Sequence, residues 1–203
     1  MKQDWLGNKA SVKSMLGVRY TTNNTKDREQ HDYYATDPIA VRKLIAALRI
    51  DRNRKIWECA CGEGHLSKEL LSLGYDVYSS DLIDRGYGDV LDFLETNDLP
   101  KKCDVILTNP PYKYTNEFVK HSLDLLPDGG LCYMLLNINQ LAGQKRYNEI
   151  YSRLPMKYVF VFSSRVQCAK NADFSKTKGY GAINYGWFVW EKGFCGDTVI
   201  KWL

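Results

Sequence analysis

No stretch of the 203-residue chain approaches the ~20 consecutive apolar residues that a membrane-spanning helix requires. The opening residues, MKQDWLGNKASVKSM, hold no apolar segment of the kind that marks a secretory signal. A cytoplasmic protein with no membrane partner is expected. Histidine is scarce, and His31, His65 and His121 are scattered. Six cysteines, at positions 59, 61, 103, 132, 168 and 195, form no Cys-x-x-Cys pair, so no metal is expected. Reduced thiols packed as small apolar residues are the better reading. The Gly-Lys-Ser/Thr of a phosphate-binding loop is missing, and so is the third glycine of the dinucleotide fingerprint, which disfavours NAD. Neither an internal repeat nor a low-complexity segment occurs.

What is present is the composition of an ordinary globular chain, 44% hydrophobic and 26% charged, long enough for one domain with a full core. Residues 1–33 are polar and weakly patterned and read as an arm, partly disordered or lying over the domain. Residues 34–203 read as a single domain without a separate target-recognition domain. ATDPIAVRKLIAAL starts a helix, with Thr36 or Asp37 as cap, Pro38 at the first helical position, and Val41, Leu44, Ile45 and Leu48 on one face. KIWECACGEGHLSKELLSLGYDVYSSD follows as strand, glycine turn, helix closed by Gly74, and strand ending at Asp81. GDVLDFLETND predicts a short helix or turn, VILT a strand, and YTNEFVKHSLDLL a helix burying Phe118, Val119, Leu123 and Leu126. LCYMLLNI is a strand, QKRYNEIYSRL a helix, and KYVFVFSS and AINYGWFVWEKG are two last strands that pair as an antiparallel hairpin at the sheet edge. Alternating strands and helices predict an α/β fold with a doubly wound, mostly parallel sheet.

Such a sheet binds ligands outside the carboxyl ends of its strands, where three features converge. Gly62 and Gly64 let the backbone approach a ligand closely before a helix begins. Asp81, 17 positions after Gly64, is placed to hydrogen-bond both hydroxyls of a ribose, or else to cap a helix. Asp92 and Phe93 offer an acceptor for an exocyclic amine and a wall for a flat ring, although Phe93 also suits the core. A cofactor containing a nucleoside, without a tightly held pyrophosphate, matches best. The third feature is TNPPY, residues 108–112, at the end of an apolar strand. It holds the Asn109 carboxamide and the Pro110 carbonyl rigidly beside an aromatic face, an arrangement suited to a flat molecule bearing an amino group. Its plain alternative is a Pro-Pro strand terminator.

Between residues 165 and 181 the chain carries Arg165, Lys170, Lys176 and Lys178 against Asp173 alone, interleaved with Phe174 and Tyr180. Basic and aromatic residues mixed in a loop can follow a phosphate backbone and stack on bases; the alternative is a solvated loop.

Asn109-Pro110-Pro111-Tyr112 after a central strand resembles the signature of the S-adenosylmethionine-dependent amino methyltransferases. Together with DREQHDYYATDP, ECACGEGHLS and NYGWFVWEKG…GDTVIKW, it looks like the phage-type DNA N6-adenine methyltransferases, from about residue 28 to 203. The resemblance implies a seven-stranded Rossmann-like methyltransferase sheet in a bacterial or phage-encoded protein. It implies S-adenosylmethionine held by Thr36, by Glu58, Cys59, Ala60, Gly62 and Gly64, by Asp81 and Leu82, by Asp92 and Phe93, and by Asn109. Catalysis would fall to Asn109, Pro110, Pro111 and Tyr112. An exocyclic aromatic amine is a poor nucleophile because its lone pair is delocalised into the ring. Asn109 Oδ1 and the Pro110 carbonyl would each accept one N–H and localise that lone pair, while Tyr112 stacks on the base. Reaching the base in a DNA duplex requires flipping it out, and Arg165, Lys170, Phe174, Lys176 and Lys178 are the expected DNA contacts. One departure stands out: Asp37 is inserted into the family's Thr-Pro element. The motif also occurs in methyltransferases acting on protein glutamine and on RNA, and a non-catalytic binding module is a further alternative.

Overall fold

A computed structural model describes residues 35–48, 50–164, 166, 168–169 and 183–203. The expected arm, residues 1–33, and the expected DNA contacts Arg165, Lys170, Phe174, Lys176 and Lys178 lie outside the described residues. The chain enters as a short strand β1 (Ala35–Thr36) and helix α1 (Ile39–Leu48). Asp37 caps α1 through Oδ1, which accepts the Ile39 N–H at 2.9 Å. Then follow β2 (Lys55–Glu58), α2 (His65–Ser72), β3 (Asp76–Asp81), β4 (Asp89–Val90), β5 (Val105–Thr108), α3 (Thr115–Leu125) and β6 (Leu131–Asn137). Helix α4 (Gln144–Arg146) continues as a π-helical turn over Tyr147–Tyr151. Strands β7 (Tyr158–Val161), β8 (Cys168–Ala169), β9 (Tyr185–Glu191) and β10 (Val199–Trp202) complete the order.

The main sheet has eight strands, in the order β10-β7-β9-β6-β5-β2-β3-β4, where seven were expected. Strand β10, which the sequence reading did not name, pairs parallel with β7 and forms the edge. The terminal hairpin therefore does not sit at the edge: β9 lies between β6 and β7, antiparallel to both. The other ladders of this sheet are parallel. The expected short helix or turn is the 3-10 turn Phe93–Glu95, and it is preceded by a strand that was not expected, β4. A separate pair, β1 with β8, joins Ala35 to Ala169 and Thr36 to Cys168.

Each central strand feeds two cores. Trp57, Ile106 and Met134 face one side with Phe118 and Val119 of α3, while Ile56, Val105, Leu107 and Leu135 face the other with α1 and α2. This is why β5 opens on the unbroken apolar run Val105-Ile106-Leu107 instead of alternating: both faces of the strand are buried. Two buried indole donors are matched: Trp57 Nε1 donates to Ser80 Oγ at 2.9 Å and Trp187 Nε1 to the Ala40 carbonyl at 3.0 Å. Among the described residues no helix is long and apolar enough to cross a membrane.

Candidate active site

The sheet reverses its winding between β2 and β5, and a cavity of about 360 Å³ opens at the carboxyl ends of the strands there. One wall is the turn after β2. Cys61 N–H donates to the Ser80 carbonyl at 2.9 Å and Gly62 N–H to Asp81 Oδ2 at 2.8 Å, which ties the turn to the end of β3. Asp81 Oδ1 accepts the Ile83 N–H at 3.0 Å. The aspartate therefore joins two loops and caps no helix, while its side lines the cavity.

Glu58 also lines this wall and is almost wholly buried, 2% exposed. The Ser67 hydroxyl donates to its Oε2, and Ser67 in turn shares a 2.6 Å hydrogen bond with Ser79. Burial, reinforced by the Asp81 charge, pushes the Glu58 carboxyl up to about 8 despite the serine bond. Cys59 and Ala60 complete the turn's contribution, and burial holds the Cys59 thiol well above its ordinary range.

Leu82, Asp92 and Phe93 line the cavity as well. Asp92 Oδ1 caps the 3-10 turn by accepting the Leu94 N–H at 3.0 Å. Phe93 serves both readings at once: it lines the cavity and packs edge-on against Trp57, with ring centroids 5.1 Å apart. His65, at the start of α2, is a cavity residue that sequence reasoning passed over. Desolvation lowers its pKa, which favours the neutral imidazole. Arg85, Lys113 and Tyr114 were passed over too; the last two sit in the 3-10 turn Tyr112–Tyr114 just after the TNPPY motif.

At the end of β5, Asn109 reaches the cavity. Its Nδ2 donates to Thr36 Oγ1 at 2.9 Å, with Cys168 Sγ 3.9 Å away. Its Oδ1 is buried and has no hydrogen-bond partner. A buried acceptor left open costs about 1–3 kcal/mol, so the arrangement is one that a bound donor would relieve. Pro110 is buried and offers no N–H of its own. The Tyr114 N–H and the Thr115 hydroxyl take the carbonyls of Pro111 and Tyr112, at 2.9 and 3.0 Å, which holds the loop rigid. Thr36 lines the same cavity, because the inserted Asp37 is absorbed as the α1 cap and leaves the threonine in β1.

Gly62, Gly64, Pro110 and Tyr112 are not among the residues lining the cavity. Gly62 and Gly64 both take positive φ, 54° and 78°. What approaches Gly64 is the Tyr87 ring, since a Cβ there would lie 2.2 Å from Tyr87 Cδ1. Tyr112 turns its ring toward Tyr185, 6.4 Å away, and burial raises its hydroxyl pKa far above normal. Among the described residues no cluster of three or more His, Cys, Asp or Glu is arranged to hold a metal ion.

The fold is that of the Rossmann-like S-adenosylmethionine-dependent methyltransferases, and solved structures of that class superpose on nearly the whole chain. A Listeria monocytogenes protein assigned to the class I methyltransferases matches with a TM-score of 0.58 at 14% identity, over 96% of this chain and 72% of that one. A Vibrio vulnificus protein assigned as a modification subunit of a type I restriction enzyme matches with a TM-score of 0.57 at 12% identity, over 94% of this chain and 48% of that one. TrmN from Thermus thermophilus matches with a TM-score of 0.52 at 19% identity, over 76% of this chain and 48% of that one. In sequence, the chain is 25% identical over 162 residues to a Mycoplasma pneumoniae protein described as an uncharacterized adenine-specific methylase. That alignment covers 70% of this chain and 36% of the relative, so the chain spans about a third of the relative's length. No family model matches.

Proposed function

We propose that the chain is an S-adenosylmethionine-dependent methyltransferase whose substrate is the exocyclic N6 amine of adenine in DNA. The observation that carries this reading is Asn109 Oδ1: a buried, unpartnered acceptor, at a cavity also lined by the buried Glu58 and by Asp81 and Asp92. The donor set suits the cofactor. Asp81 and Asp92 are acceptors for hydroxyl and amine groups, Phe93 and Leu82 are apolar walls for a base, and Glu58 suits a cationic group. When bound, S-adenosylmethionine supplies an electrophilic methyl group on a cationic sulfur.

The protein's own task is to make the amine nucleophilic. Asn109 Oδ1 accepts one N–H and the Pro110 carbonyl the other, drawing the nitrogen toward a tetrahedral geometry and localising its lone pair. Proline fixes φ, so its carbonyl stays aimed without a large entropic cost. Tyr112 and Tyr185, with ring centroids 6.4 Å apart, provide the aromatic surface for the flipped base. No prior deprotonation of the amine is needed, so a dedicated general base is not required. The adenine-specific methylase relative and the mixed basic and aromatic composition of residues 165–181 support a nucleic-acid substrate.

The test is incubation with S-adenosylmethionine and mixed-sequence DNA, followed by mass spectrometry of the nucleosides. N6-methyladenine is expected with the wild type, and a loss of about 10²–10³-fold in rate with Asn109→Ala, the scale of removing one positioned hydrogen-bonding group. Cofactor binding without any methylated nucleoside would reject DNA and direct the same assay to RNA and to protein glutamine.

A further inference from the structure

A carboxamide can present its oxygen or its NH₂ after a half-turn about χ2, at little intrinsic cost. Which way Asn109 is set therefore decides whether the site accepts an N–H or repels it. In the structure Nδ2 donates to Thr36 Oγ1 at 2.9 Å and Oδ1 is the buried, open end. Thr36 is 5% exposed, and β1 holds it in register with Cys168 of β8. Cys168 Sγ lies 3.9 Å from the same Nδ2, so the NH₂ end of the amide faces two acceptors, the threonine oxygen and the cysteine sulfur. The opposite setting of the amide would give up the bond from Nδ2 to Thr36 and turn the NH₂, not the oxygen, toward the open side.

We infer that Thr36 is a positioning residue that sets the Asn109 carboxamide with its oxygen toward the substrate amine, acting through the amide and not through the cofactor. This rests on the amino-methyltransferase reading of the site and goes beyond it, because the resemblance assigns Thr36 only to cofactor contact. The β1–β8 pair, which stands apart from the main sheet, then has a purpose: it brings a hydroxyl 73 positions away in sequence against the side chain after β5.

Thr36→Val preserves the shape of the side chain and removes the acceptor, and Thr36→Ser restores it. The single-turnover rate is read with tritiated S-adenosylmethionine and an adenine-containing oligonucleotide, and cofactor affinity separately by calorimetry. The expected result is a rate about 10- to 100-fold lower in Thr36→Val, the scale of misplacing a reacting group. Cofactor Kd stays within about twofold, and Thr36→Ser recovers most of the rate. A Thr36→Val rate equal to wild type overturns the inference. So does a Kd that weakens in step with the rate, and so does a Thr36→Ser as slow as Thr36→Val.

A second measurement needs no Thr36 variant and no activity. In ¹⁵N-labelled protein, the Asn109 side-chain NH₂ resonance is identified by its loss in Asn109→Ala. One of its two protons should be shifted downfield and protected from exchange by the bond to Thr36; two freely exchanging protons overturn the inference. Wild-type protein that methylates no amine at all, with this bond present, rejects the proposed function and leaves the orientation of Asn109 standing.

Discussion

Glu58 is a carboxyl kept neutral by its surroundings. Its pKa rises from an ordinary 4.5 to about 8, with desolvation the leading cause and the neighbouring Asp81 charge adding to it. The folded state therefore binds a proton that the unfolded state releases. The contribution to stability is full below about pH 4.5 and is lost as pH rises toward 8, at about 1.4 kcal/mol per pH unit. Urea denaturation of the ligand-free protein at intervals from pH 5 to pH 9 should show this decline, and Glu58→Gln should flatten it. A wild-type profile that is flat or rises over that window would contradict a neutral Glu58. A cationic ligand beside Glu58 would favour the ionised carboxylate, so cofactor affinity should strengthen as pH rises toward 8.

At the scale of elements, the turn between β2 and α2 is held by its neighbours. Gly64 has φ 78° and precedes α2 as its cap residue, and the Tyr87 ring occupies the space of the missing side chain. Lys68 Nζ stands 4.7 Å from the centre of the same Tyr87 ring. Gly64→Ala should cost about 1–3 kcal/mol, because it combines a disfavoured backbone with a clash. Adding Tyr87→Ala removes the clash and leaves the backbone strain, so the double variant should be less destabilised than the sum of the two singles. Strict additivity in urea denaturation would show that the ring and the turn are not coupled.

For the whole molecule, the net charge of +4 is modest, and its placement matters more. If Arg165, Lys170, Lys176 and Lys178 meet phosphates, DNA affinity should fall roughly 50- to 150-fold between 50 and 200 mM salt, about four contacts' worth of released counterions. Replacing the four with alanine should flatten that slope while leaving cofactor affinity unchanged. Equal slopes for the two proteins would move the DNA contacts elsewhere. At the far end of the sheet, β10 leaves Val199, Ile200 and Trp202 exposed, Trp202 by 70%. Lys201 sits among them, and a charge on an edge strand of this kind discourages further strand pairing.

The alternation of strands and helices, a cap at Thr36 or Asp37, and the inward faces of α1 and α3 were all legible in the chain. Each depends on local periodicity, backbone restriction or side-chain type within a few residues. Strand β10 was not legible, since VIKW gains strand character only when the β7 edge is beside it. Nor was the placement of β9 between β6 and β7, because pairing order is a matter of what lies across the sheet. The dual role of Phe93, the neutral Glu58, the Tyr87 ring against Gly64 and the bond from Asn109 to Thr36 belong to the same group. Each is set by groups far apart in sequence that meet only on folding, and desolvation and hydrogen-bond commitment do not exist until they do. The residue types determined by themselves which chemistry the chain can offer; only the tertiary structure decided which atoms are left open to perform it.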